Sequence, residues 1–203
     1  KGKVLVIVRD PIQSCESWAS KSGDDYLKTC QRIIQMLHDI DDPVYGMVDS
    51  AAIKLEDIKK SPQASLQELC GWMGISYSES LSKMTVMGKR WWGDPTSPDY
   101  RVDGMEPFGT TSIMRETTDF FNKQDREILE TLFFPFSSAF EYTTKSEAEF
   151  INDLKLLPTK IDNLFEFERR FLDARPFDEN ELRQMGYFRY LRAEMLNKWK
   201  VLS

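Results

Sequence analysis

The chain is poor in the residues that build metal centres. It has a single histidine, His38, and three cysteines, Cys15, Cys30 and Cys70, among 203 residues. No two cysteines stand at C-x-x-C spacing. A structural zinc site needs four such ligands at clustered spacing, and one histidine with three scattered cysteines lacks that spacing; an odd set of isolated thiols does not make a disulfide framework. Buried free thiols in a reducing, cytoplasmic compartment are the expectation. No apolar run approaches the roughly 18 residues of a membrane span. A basic excess is also lacking: the formal net charge is −6, against the basic face that nucleic acid requires. An anionic small ligand is still allowed, because one arginine in a pocket outweighs diffuse surface charge.

What is present begins with Lys3-Val4-Leu5-Val6-Ile7-Val8, followed by Arg9-Asp10-Pro11. A short aliphatic and β-branched run with both faces apolar predicts a buried strand. Pro11 cannot extend a ladder but suits the first turn of a helix. A strand that ends in arginine and turns into a helix N-terminus makes an anion site, since free N–H groups and a guanidinium both attract negative charge. The chain opens on a lysine almost inside this strand, and the expectation is that an N-terminal portion precedes it.

Periodicity predicts helices at 13–20 and at 24–38, the latter with Leu27, Cys30, Ile34 and Leu37 on one face. Val44–Val48 and Ala51–Leu55 read as short apolar pieces, the second a strand ending at Glu56-Asp57. Ser61-Pro62 opens a helix with Leu66, Leu69, Cys70 and Met73 on one side, and Gly74 stops it. Residues 76–83 give a further helical turn or two. Residues 87–115, rich in glycine and proline, read as a long loop carrying Trp91 and Trp92. Helix resumes near Lys123 with Ile128, Leu129, Leu132 and Phe133 inward. Two more amphipathic helices follow, one with Ile161, Leu164, Phe165, Glu168, Phe171 and Leu172, the other with Leu182, Met185, Tyr190, Leu191, Met195 and Trp199.

Three segments in order resemble the sulfotransferases that use 3′-phosphoadenosine 5′-phosphosulfate. Val8-Arg9-Asp10-Pro11, with Ser17 eight residues after the arginine, is similar to that family's 3′-phosphate motif. Leu55-Glu56-Asp57-Ile58-Lys59-Lys60-Ser61-Pro62 and the helix ending at Gly74-Ile75 are similar to its Tyr-Glu-Asp-Leu-Lys…Pro segment. Met114-Arg115, followed by Asp119-Phe120-Phe121, is a looser echo of its late basic loop. The resemblance implies a P-loop nucleotide kinase-like α/β fold, a parallel sheet flanked by helices. That fold would be N-terminally incomplete over residues 1–142, with a helical C-terminal extension over 143–203 packing on it. It implies 3′-phosphoadenosine 5′-phosphosulfate, or its bisphosphate product, as cofactor, held by Arg9, Ser17 and Arg115. The reaction implied is sulfuryl transfer to a hydroxyl or amine of a small-molecule, carbohydrate or peptide acceptor.

The pattern departs from the family at several points. Gly88-Lys89-Arg90 lacks the earlier glycine of a phosphate-cradling loop. Leu55 stands where many relatives carry tyrosine, and Glu116-Thr117 follows Arg115 where they carry Lys-Gly. No residue is assigned as catalytic base. The alternative is a non-catalytic, sulfotransferase-like scaffold that interacts through its helical C-terminal region.

Each candidate has a plainer reading. Arg9 could pair with Asp10 or Glu16, and Ser17 could be a solvated helix serine. Ser14 is read as an N-cap or first-turn donor. Of Trp91 and Trp92, one lines an acceptor pocket and one anchors the loop. His38 is read as a helix-end residue and not a base. Glu56 and Asp57 are read as capping a turn or holding a basic side chain.

Overall fold

The structure is a computed structural model that describes residues 2–22, 25–40, 49–83, 85–87, 89–90, 108–110, 113, 120–157 and 164–202. In chain order the elements are β1 (Lys3–Val8), α1 (Pro11–Ser22), α2 (Tyr26–Ile40), β2 (Asp49–Lys54), α3 (Leu55–Lys60), α4 (Pro62–Met73), β3 (Thr85–Val86) and β4 (Lys89–Arg90). Then come α5 (Lys123–Leu132), α6 (Phe134–Ala139), α7 (Glu147–Leu156), α8 (Glu166–Ala174) and α9 (Glu179–Leu202). The chain is mostly helical, with a small two-stranded parallel sheet flanked by helices. It divides into two compact units, Lys1–Arg9 with Pro43–Glu116, and Asp10–Asp42 with Thr117–Ser203.

In the first unit β1 and β2 run parallel in a register from Lys3↔Asp49 to Val8↔Lys54. The strand predicted at 51–55 therefore ends sooner, at Lys54, and Glu56 and Asp57 lie in the first turn of α3. There their carboxylates favour the positive end of the helix. Pro62 opens α4, and Gly74 closes it with φ of 73°, a left-handed conformation that glycine adopts without a Cβ penalty. The Ile75 N–H then reaches back to the Cys70 carbonyl at 3.0 Å.

β1 corrects the expectation of a strand buried on both faces. Only Val8 is buried, while Val4 and Leu5 are 39% exposed and Ile7 61%. Among the described residues β1 has one strand neighbour, and pairing along one edge covers backbone without covering either face. Leu66, Leu69 and Met73 of α4 are likewise only half-buried, with Ser65 and Cys70 its buried positions.

The second unit holds the aromatic core. Here α5 packs against α1, α6, α7, α8 and α9, and it buries Ile128, Leu129 and Leu132 as its spacing predicts. On α2 the inward residues are Tyr26, Cys30, Ile33, Ile34 and Leu37, at intervals of three and four. One core cluster runs from Cys15 on α1 to Trp199 on α9, so it crosses the 142/143 border expected from the sequence.

Polar groups lock this core. Asp125 is fully buried on α5, and its carboxylate accepts the Glu166 N–H at 2.7 Å and the Phe167 N–H at 3.2 Å. It thus caps the N-terminus of α8 from 41 residues away. Asn122 caps α5 itself, accepting from the Asp125 N–H at 2.8 Å.

Glu168 and Arg192, 0% and 1% exposed, form a buried ion pair at 3.2 Å. Glu168 also accepts the Tyr26 hydroxyl at 3.1 Å and the Phe165 N–H at 2.8 Å. The Arg192 guanidinium packs against the stacked Phe165 and Phe188 rings, 4.5 and 4.4 Å from their centroids. On α9 the buried stripe is Phe188, Leu191, Arg192, Met195, Leu196 and Trp199. Leu182 and Tyr190, expected inward, are 49% and 57% exposed. Leu191, Met195 and Trp199 are buried as their spacing predicts, and the pattern misses Arg192 because a charged residue occupies the centre of the stripe.

Substituting Arg192→Met strands the Glu168 carboxylate in the core and should cost about 3–5 kcal/mol in urea unfolding. The double variant Arg192→Met/Glu168→Met should recover most of that loss, since no uncompensated charge is then buried. Equal destabilisation in both would disprove the pairing as the origin of the cost.

The start of α9 generates a pH dependence. Glu181 is nearly buried and accepts from Arg175 Nη1 at 2.7 Å and from the Asp178 N–H at 3.0 Å. Asp178 returns the bond, accepting from the Glu181 N–H at 2.8 Å, in a reciprocal capping arrangement. The Arg175 guanidinium, then the Asp178 N–H, hold the Glu181 carboxyl down to about 2. A carboxylate lowered in the fold contributes stability above its unfolded value of about 4.3, and that stability fades as pH falls toward the folded value. Glu181→Gln should therefore be less stable than wild type at pH 7. The gap should narrow between about pH 4 and 2 when thermal unfolding is followed by circular dichroism.

Candidate functional site

Arg9 stands at the carboxyl end of β1, half-buried, one residue past the last paired position, Val8↔Lys54. The neighbouring strand passes at the same level into α3, whose last turn carries Lys59 and Lys60. Lys59 is half-buried, and its Nζ donates to the Gly109 carbonyl at 3.1 Å. Burial pushes the Lys59 ammonium below the usual lysine range, and the positive charge of Arg9 pushes it the same way. The first unit thus gathers two mutually repelling cations at the carboxyl ends of parallel strands. That is the edge at which open α/β sheets receive ligands. The opposite end of the strands is neutralised: Lys3 pairs with Asp49 at 3.2 Å and lies 4.6 Å over the Trp72 ring.

From Asp10 the chain enters the second unit. Asp10 caps α1, its Oδ1 accepting from the Gln13 N–H at 2.8 Å. This corrects the N-cap alternative for Ser14, which stands instead in the first turn of α1. The Ser14 hydroxyl instead accepts from Arg32 Nη2 at 3.4 Å. Ser17 is half-buried on α1, and its carbonyl accepts from Ser20 Oγ at 3.1 Å. Glu16, a considered partner for Arg9, is 1% exposed and ion-paired with Arg126. Burial raises the Glu16 carboxyl above its ordinary range, while Arg126 pulls it back down.

His38 is exposed near the end of α2, with Nε2 2.9 Å from the Tyr187 hydroxyl. The three cysteines are buried and free, and burial pushes the Cys15 thiol up to about 12, which leaves it unreactive near neutrality. Among the described residues no group of three or more histidine, cysteine or carboxylate side chains could hold a metal ion. None of the described helices is long and apolar enough to cross a membrane. Trp91, Trp92 and Arg115 lie outside the described residues.

A cleft of about 390 Å³ opens in the second unit between Asp10, Gln13, Arg126, Glu130, Tyr142 and Lys145. Its cations are already paired, Arg126 with Glu16 and Lys145 with Glu130 at 2.9 Å. It therefore offers mainly hydroxyl and amide chemistry.

Local sequence rules single out Arg9 as a candidate and give Lys59, in the second motif, no role. The signal was faint: a lysine late in a short helix reads as a C-terminal charge. Its proximity to Arg9 arises only from the parallel pairing of β1 and β2. Comparison with protein-family models, with curated proteins and with solved structures gives no match.

Proposed function

We propose that this chain carries the 3′-phosphate-binding part of a sulfotransferase using 3′-phosphoadenosine 5′-phosphosulfate, on a P-loop nucleotide kinase-like α/β framework. The observation that carries the reading is the Arg9–Lys59 cation pair at the carboxyl ends of β1 and β2. Two half-buried cations repel one another, and a phosphate monoester placed beside them removes that repulsion. A guanidinium meets phosphate with two parallel bonds, and the ammonium adds a point charge. Bound there, the cofactor would supply an activated sulfuryl group for an acceptor hydroxyl or amine, with Arg9 and Lys59 holding its nucleotide part.

Arg9 and Lys59 bind and orient the nucleotide in this scheme, far from the transferred sulfur. The parts of Ser17 and Arg115 in nucleotide binding, and of Trp91 or Trp92 as an acceptor wall, rest on the motif resemblance. The acceptor class is a small molecule, carbohydrate or peptide carrying a hydroxyl or amine.

Calorimetry with adenosine 3′,5′-bisphosphate and adenosine 5′-monophosphate tests the reading. The bisphosphate should bind at least about tenfold tighter. Arg9→Ala should cost about 1.5–3 kcal/mol, or roughly 10–100-fold in Kd, while affecting the monophosphate far less. Lys59→Gln should weaken the bisphosphate in the same selective way. Equal affinity for the two nucleotides, or an unchanged Kd in Arg9→Ala, would remove the assignment.

A further inference from the structure

The second unit contains a guanidinium whose charge is not answered. Arg126 faces Glu16 and Arg192 faces Glu168, but Arg32, half-buried on α2, has no carboxylate within salt-bridge distance among the described residues. Its hydrogen bonds to Ser14 and Gln35 are long, Nη2 to Ser14 Oγ at 3.4 Å and Nη1 to Gln35 Oε1 at 3.5 Å. Its Nε is buried with no hydrogen-bond partner. The guanidinium carbon lies 5.9 Å from the centroid of the Trp18 ring, and Trp18 is 48% exposed.

Ser14, Ser17 and Trp18 stand at i, i+3 and i+4 on α1 and share one face of that helix. Arg32 reaches this face from α2. The Ser14 hydroxyl accepts from Arg32 and keeps its own hydrogen to donate. Ser17, one turn on, offers a second hydroxyl.

We infer that this face of α1 and α2 is an anion-binding subsite for a phosphate or sulfate monoester. Arg32 supplies the charge, Ser14 and Ser17 supply hydroxyl donors, and the Trp18 indole forms an apolar wall for the ester's organic part. The donor set selects the class. A guanidinium and two hydroxyls present more donors than a two-oxygen carboxylate can use, whereas a monoester has three terminal oxygens. The weak bonds that now hold Arg32 are readily exchanged for charge-assisted ones. Ser17 is the one residue this site shares with the nucleotide reading; Arg32, Ser14 and Trp18 belong to this site alone, so Arg32→Gln and Arg9→Ala separate the two.

Trp18 makes the site observable. Titrating the protein with inorganic phosphate, with sulfate and with adenosine 3′,5′-bisphosphate should change tryptophan fluorescence saturably, and Trp18→Phe should remove the change. Arg32→Gln should raise the apparent Kd for phosphate at least tenfold, and Ser14→Ala/Ser17→Ala several-fold. The serine pair provides a second variant that leaves the α2 side chain untouched, and far-UV circular dichroism checks that each variant is folded. Arg9→Ala should leave the phosphate response unchanged even where it abolishes preference for the bisphosphate, so the two readings fail separately. A response to the bisphosphate but not to phosphate or sulfate would assign the source as nucleotide. A phosphate affinity indifferent to both Arg32→Gln and the serine pair, or no Trp18 response to any of the three anions, overturns the subsite.

Discussion

The second unit depends on a buried charge pair that is favourable only if several distant segments arrive together. Glu168 from α8 must find Arg192 on α9, the Tyr26 hydroxyl on α2 and the Phe165 N–H at once. Removing a carboxylate and a guanidinium from water costs several kcal/mol each, and one contact does not repay it. The stacked Phe165 and Phe188 rings beside Arg192 add cation–π attraction and exclude water. A slip of α9 by one residue would rotate Arg192 away by about 100° and leave Glu168 buried alone. The pair thus acts against misregistration more than for stability, and Asp125 reinforces it by fixing where α8 begins.

How much of this was legible in the sequence follows from the same physics. Breakers and periodicity were legible: Pro11 and Pro62 open helices, Gly74 closes one, and α2 and α5 bury the faces their spacing predicts. Glu168 was placed on its helix, but its partner was not, because Arg192 sits among residues that read as a solvated face. A pattern method assigns charge to the surface, and here the core uses it. The exposure of Ile7 was hidden for a different reason: strand residues declare that they are apolar, not how many neighbours cover them.

The candidate site was legible in the same unequal way. Arg9 could be found because strand, arginine and proline are consecutive, so local rules predict the corner. Lys59 lies 50 residues further on and meets Arg9 only through the β1–β2 register. Arg32 lies 18 residues from Ser14 and meets it only through the packing of α2 on α1. In both cases the local half of the site can be read from the chain, and the cation that completes it comes from tertiary structure.

The net charge of −6 bears on both proposed anion sites, and distance decides how. Surface carboxylates act through water and salt, and beyond a Debye length of about 8–10 Å their repulsion is largely screened. A half-buried guanidinium or ammonium in direct contact acts through a lower effective dielectric, where each interaction is several-fold stronger. Arg32 and Lys59 are both partly withdrawn from water, and neither is within salt-bridge distance of a carboxylate among the described residues. Elsewhere the same chain answers Arg126, Arg175 and Arg192 with glutamates. Folding supplies no obvious gain from keeping a cation partly dehydrated and without a counter-charge. A bound anion would supply that gain, so both proposals rest on the local surroundings of a cation and not on total charge.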